Sequence, residues 1–210
     1  MALADRLPAK TRRRLAKTLV AAAATTPAGL LAFRFVTDDL GANPIAELMN
    51  RLGYWTLVLL MASLVATPLR LFTGWNWPLA VRRLVGLFAF FYGTLHVLCY
   101  LVLDQFFDWA AIWEDIWKRP FITAGAVAYL LLVPLAVTST NKMVKRLGSK
   151  RWKRLHRLSY VAAASGVIHF LWRVKADTFE PLIFGAILTG LLAVRFFAWW
   201  RDRIRAAAPG

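Results

Sequence analysis

The sequence predicts an all-α, polytopic membrane protein, a six-helix transmembrane bundle with both termini cytoplasmic. Three observations carry that expectation. Apolar residues make up 59% of the 210 and charged residues 18%, against about a quarter charged in soluble domains. The apolar residues gather into six runs close to the roughly 20 residues a helix needs to cross a bilayer. The charge between those runs is one-sided.

The runs follow in order. The first, residues 18–36, holds Pro27 and Gly29, and its Arg34 can snorkel to the interface. It reads as a first span rather than a cleavable signal, having no clear small-residue cleavage site. The second is 52–69. The third, 84–103, carries His96. The fourth is 120–140. The fifth, 155–172, carries His169, with His156 at its entrance. The sixth, 181–200, has Arg195 near one end, again within snorkelling reach. The expected organisation is a basic cytoplasmic N-terminus (1–17), a transmembrane domain (18–200) and a cytoplasmic tail (201–210).

Orientation follows from the loops. With the N-terminus inside, residues 1–17, 70–83, 141–157 and 201–210 hold 20 Lys or Arg, while 34–51, 104–119 and 173–180 hold six. The positive-inside rule then places both termini in the cytoplasm. The net charge of +16 is thus a membrane-surface signature, with no nucleic-acid partner. The outer loop 104–119, with Asp108, Trp109, Trp113, Glu114, Asp115 and Trp117, reads as an amphipathic segment in the interface or as a docking surface. One cysteine, Cys99, excludes an intramolecular disulfide and a multi-cysteine zinc site. No GxGxxG and no Walker loop occurs, so the chain has no visible means of taking hydride from a nicotinamide by itself.

The chemistry lies in three histidines. His96 is 13 residues beyond Arg83 and eight short of Asp104; His169 is 15 beyond Arg154 and six short of Lys175. At about 1.5 Å per residue both sit at similar depth in the outer half of the bilayer. Imidazole is a common axial ligand of haem iron, and an intramembrane ionisable residue is a functional-site hypothesis by default. Two imidazoles at one level can grip one haem from its two faces. Each has a glycine three residues earlier, Gly93 and Gly166, with Gly86 a further two turns back on the third span. The expectation is that these glycines clear a porphyrin plane; the alternative is close helix packing. Cys99 lies three residues after His96 and reads as a buried thiol rather than a ligand.

His156 is 13 residues before His169, so roughly 20 Å away along a helix and turned some 140° from it. It is a candidate for a second haem, for a place beside a flavin or quinone head group, or for a plain interfacial histidine. The third span offers no histidine at that level, only Arg82 and Arg83. Arg82, Arg83, Arg151 and Arg154 are candidate contacts for haem propionates, a flavin phosphate or a quinone.

The stretches Arg-Arg-Leu-Val-Gly-Leu-Phe-Ala-Phe-Phe-Tyr-Gly-Thr-Leu-His (82–96), Thr-Ser-Thr-Asn (138–141) and Trp-Lys-Arg-Leu-His-Arg-Leu-Ser-Tyr…Gly-Val-Ile-His (152–169) resemble the MsrQ (YedZ) family. These are the haem-binding membrane subunits of the bacterial periplasmic methionine-sulfoxide reductase system, within the ferric-reductase-like transmembrane superfamily. The resemblance covers nearly the whole chain. It implies a bacterial inner-membrane protein with b-type haem and FMN. Electrons would come from the quinone pool or a cytosolic flavin reductase and pass to a periplasmic molybdopterin subunit that repairs oxidised proteins. It carries His96 and His169 over as haem ligands and His156 as a further implicated histidine. Relative to the NADPH oxidases of the same superfamily, the inner histidine of the third span is replaced by arginine. Two rivals remain at this stage: a stand-alone ferric or quinone reductase, and a haem-free transporter.

Overall fold

A computed structural model describes residues 8–207; the expected cytoplasmic placement of residues 1–7 and 208–210 lies outside the described residues. The first helix, α1 (Ala9–Val36), starts nine residues earlier than the apolar run. Residues 9–17 contain Lys, Arg, Leu and Ala but no breaker, so the helix propagates through the basic segment instead of leaving it as a separate unit. The same holds at the other end, where α9 (Phe179–Ala207) runs through the start of the expected tail.

α2 (Pro44–Thr73) opens on an Asn43 cap, whose side chain accepts from the Ala46 N–H at 3.1 Å, and closes on Gly74 at φ 73°. It is the central element, with Leu57, Leu60 and Leu64 buried in the core. α3 (Trp77–Leu98) lies along α2 and passes into a π-helical turn, Cys99–Asp104. α5 (Pro120–Val137) lies along α8 (Leu158–Arg173), which begins after two short helices, α6 (Asn141–Leu147) and α7 (Ser149–Leu155). α1 packs on α3, and α9 on α8 and α2. Tyr92 of α3, with no solvent exposure, ties α1 down: its hydroxyl accepts from the Ala28 N–H at 2.8 Å and donates to the Ala24 carbonyl at 2.7 Å. It bridges the i and i−4 groups of α1 beside Pro27, satisfying them where burial would otherwise be costly.

Among the described residues, five helices are long and apolar enough to cross a membrane: α1, α2, α3 with its π extension, α5 and α9. The expected fifth span is shorter than the sequence indicates. α8 has 16 residues, about 24 Å, because the chain breaks at His156 and Arg157. There the Arg157 N–H turns to the Arg154 carbonyl, and the Ser159 hydroxyl donates to the His156 carbonyl at 2.7 Å. Arg195 also departs from expectation. It does not reach for the interface but donates to the Leu64 carbonyl of α2 and, at 3.0 Å, to the Leu191 carbonyl, with its guanidinium 5.2 Å above the Tyr160 ring. Backbone oxygens and an aromatic face take the place of head groups.

The loop after α3 forms α4 (Trp109–Lys118), capped by Asp108, whose carboxylate accepts from the Ala110 and Ala111 N–H groups. Trp109, Trp113 and Trp117 recur every four residues and are all exposed. Tyr100 donates to Asp115 at 3.0 Å, Arg119 pairs with the same carboxylate at 3.1 Å, and Thr123 donates to the Ile116 carbonyl. These bonds fasten α4 to the π-helical turn and to the start of α5.

Candidate functional site

The structure brings His96 and His169 together: their ring centroids are 6.1 Å apart and the planes are inclined by 80°. Each ring is held the same way. His96 Nδ1 donates to the Met49 carbonyl of α2 at 2.9 Å, and His169 Nδ1 donates to the Phe121 carbonyl of α5 at 2.6 Å. A carbonyl accepts only from N–H, so the proton sits on Nδ1 and Nε2 keeps its lone pair. Neither Nε2 bonds any described residue. Metal-ligating histidines are oriented by this kind of second hydrogen bond.

A glycine makes each bond possible. Gly53 is four residues after Met49, and Gly125 four after Phe121, so each stands one turn along from the accepting carbonyl. A Cβ at Gly53 would lie 3.2 Å from His96 Nδ1 and Cε1; one at Gly125 would lie 2.7 Å from His169 Nδ1. Without side chains there, the imidazoles lie against bare helix backbone. The two half-sites match: Gly53 precedes His96 by 43 residues and Gly125 precedes His169 by 44. Sequence reasoning missed Gly53, Gly125 and the two carbonyls, because the pairing of α2 with α3 and α5 with α8 decides them.

Gly93 and Gly166 stand against side chains of neighbouring helices. The space in front of Gly93 is filled by Thr56 and Tyr129, and that in front of Gly166 by Leu57. Both let α2 approach, the packing alternative. Gly86 stands opposite Ser63 and lines a separate cavity. Cys99 is buried with Sγ 4.0 Å from the Ile45 carbonyl, turned to α2.

The donor set fits haem. Two imidazoles that each held one metal ion through a bond of about 2 Å would stand about this far apart; the ring centroids here are separated by 6.1 Å. Both rings keep the required nitrogen free.

His156 belongs to a second place, a cavity of about 400 Å³ lined also by Arg82, Arg83, Gly86, Trp152, Lys153 and Arg157. Its ring stacks on Trp152 at 3.8 Å, and its Nε2 lies 3.2 Å from the Thr138 hydroxyl. Trp152 in turn donates to the Thr138 carbonyl at 2.9 Å. Of the four arginines expected here, Arg82 and Arg83 line the cavity. Arg151 and Arg154 do not: they are exposed on α7, whose short turn directs them outward.

The ferric reductase like transmembrane component family matches residues 52–167, a window holding Gly53, His96, Gly125 and His156. The protein-methionine-sulfoxide reductase heme-binding subunit MsrQ of Rhodospirillum rubrum is 58% identical over 200 residues, covering 95% of this chain and 96% of the relative. Its namesake in Herminiimonas arsenicoxydans is 50% identical over 198 residues, 93% of this chain and 91% of the relative. That of Caulobacter vibrioides is 45% identical over 200 residues, with 95% and 94% covered. The chain belongs to the MsrQ family, within the ferric-reductase-like transmembrane proteins.

Proposed function

We propose that this protein is a b-type cytochrome subunit of the bacterial inner membrane. It passes electrons from the quinone pool or a cytosolic flavin reductase to a periplasmic molybdopterin methionine-sulfoxide reductase, with which it forms a heterodimer. The observation that carries the reading is the pair of facing imidazoles, His96 and His169, each with Nδ1 committed to a carbonyl and Nε2 free. Haem b, when bound, supplies one-electron chemistry between ferric and ferrous iron. The chain's own residues do the rest. The Met49 and Phe121 carbonyls orient the two rings, Gly53 and Gly125 admit them, and the surrounding helices exclude water.

In this reading six helices span the membrane, α8 completing the set, with both termini cytoplasmic as the basic loops require. The His pair is then nearer the periplasm and the His156 cavity nearer the cytoplasm. The cavity's volume is within the range of small-molecule sites. Arg82, Arg83, Lys153 and Arg157 give it anion-binding donors, and Trp152 gives it an aromatic wall. It suits the entry side: FMN, a quinone head group, or a second haem at His156.

The test follows reoxidation. Protein reduced with dithionite in liposomes should keep its ferrous bands when offered a methionine-oxidised protein, and lose them once the purified periplasmic reductase is added. Reoxidation by a ferric chelate, equally fast without any partner, would instead establish a stand-alone reductase.

A further inference from the structure

The outer end of α8 carries a cation that the protein leaves unpaired. Among the described residues five arginines are half-buried: Arg34, Arg82, Arg83, Arg173 and Arg195. Four have partners, Arg34 in Asp39, Arg82 in Thr67, Arg83 in Asn141, and Arg195 in the Leu64 and Leu191 carbonyls. Among the described residues Arg173 has no hydrogen bond and no ion pair. Carboxylates are available at this end, yet Asp104 takes up Gln105 and Asp177 takes up the Phe179 N–H.

Arg173 is four residues after His169, one turn outward on the same helix face. A half-buried guanidinium one turn from His169, with no bond to any described carboxylate, is a site for an anionic oxygen that comes with the ligand. Its planar fork suits a carboxylate in particular.

We infer that Arg173 holds a propionate of the haem bound between His96 and His169, a role that the sequence had placed on the inner arginines. This rests on the haem reading above. It would make Arg173 a binding residue for the charged edge of the haem.

The measurement is haem loss from the purified, haem-loaded protein to excess apomyoglobin. Wild type, Arg173→Gln and Arg173→Lys are compared, with haem b and again with its dimethyl ester, whose propionates cannot bear charge. With haem b, Arg173→Gln should lose haem about tenfold faster than wild type, as expected for a lost charge-assisted hydrogen bond, with Arg173→Lys between. With the ester the three should lose it at one rate. Should Arg173→Gln not be recovered folded, the Lys variant carries the same comparison. Equal rates with haem b overturn the inference. So does a difference that survives esterification, which would make Arg173 a partner of lipid phosphate or a purely structural cation. A wild type that takes up no haem overturns the haem reading itself, whereas a loaded wild type matched by its variants overturns this assignment alone.

Discussion

Replacing His96 or His169 by alanine should cut the haem content of the purified protein by at least about tenfold, with the fold retained. Even groups that only orient a ligand are worth about 10–100-fold in metal affinity, and here a ligand itself is removed. Loss of fold is not expected to confuse the result. The Met49 and Phe121 carbonyls are helix-interior groups that keep their own backbone donors, so deleting either ring leaves no unsatisfied oxygen. Haem per mole of protein, read beside a thermal melt in detergent, checks both halves. His156→Ala should reduce haem content less, because its ring is supported by Trp152 and Thr138 in the other cavity. Full haem in both His96→Ala and His169→Ala would rule out the pair as ligands.

The second large effect should come from a single methyl group. In Gly125→Ala the new Cβ lands 2.7 Å from His169 Nδ1 and 3.0 Å from Cε1, inside any real contact distance. The ring must swing away, and its bond to the Phe121 carbonyl goes with it. In Gly53→Ala the contacts are 3.2 Å, so His96 yields by a few tenths of an ångström and the loss is smaller. Gly29→Ala, with nothing within 4 Å, should leave haem content unchanged and stabilise α1 by about 0.5–1 kcal/mol, since alanine is the better helix former. Haem content should therefore fall in the order Gly29→Ala, Gly53→Ala, Gly125→Ala. Overpacking of this kind typically costs about 1–3 kcal/mol, concentrated here on the orientation of one ligand. Equal haem content in all three would show that the carbonyl bonds do not matter.

The equal depth of His96 and His169 is legible in the sequence because depth needs only helix rise and the positions of the flanking charges. The helices themselves are legible for the same reason, since each apolar run reports its own environment. What faces each imidazole is not local. Gly93 and Gly166 share a helix with the histidines and attract attention, yet Thr56, Tyr129 and Leu57 fill the space before them. Gly53 and Gly125 lie on other helices, 43 and 44 residues earlier, and only the pairing of α2 with α3 and α5 with α8 discloses them. The ring of His156 likewise meets a tertiary partner, Thr138 of the preceding segment. Arg195 turned inward because a carbonyl of α2 happened to be within reach, which no property of its own run could indicate.

The most direct test of the account is low-temperature electron paramagnetic resonance of the ferric protein. Two imidazoles on one iron give a low-spin centre, and ring planes inclined by 80° give the strongly anisotropic form of that signal rather than the rhombic form of parallel rings. A low-spin, strongly anisotropic signal that disappears in both His96→Ala and His169→Ala is the predicted result. A purely high-spin signal, or a protein with no iron signal at all, would contradict it.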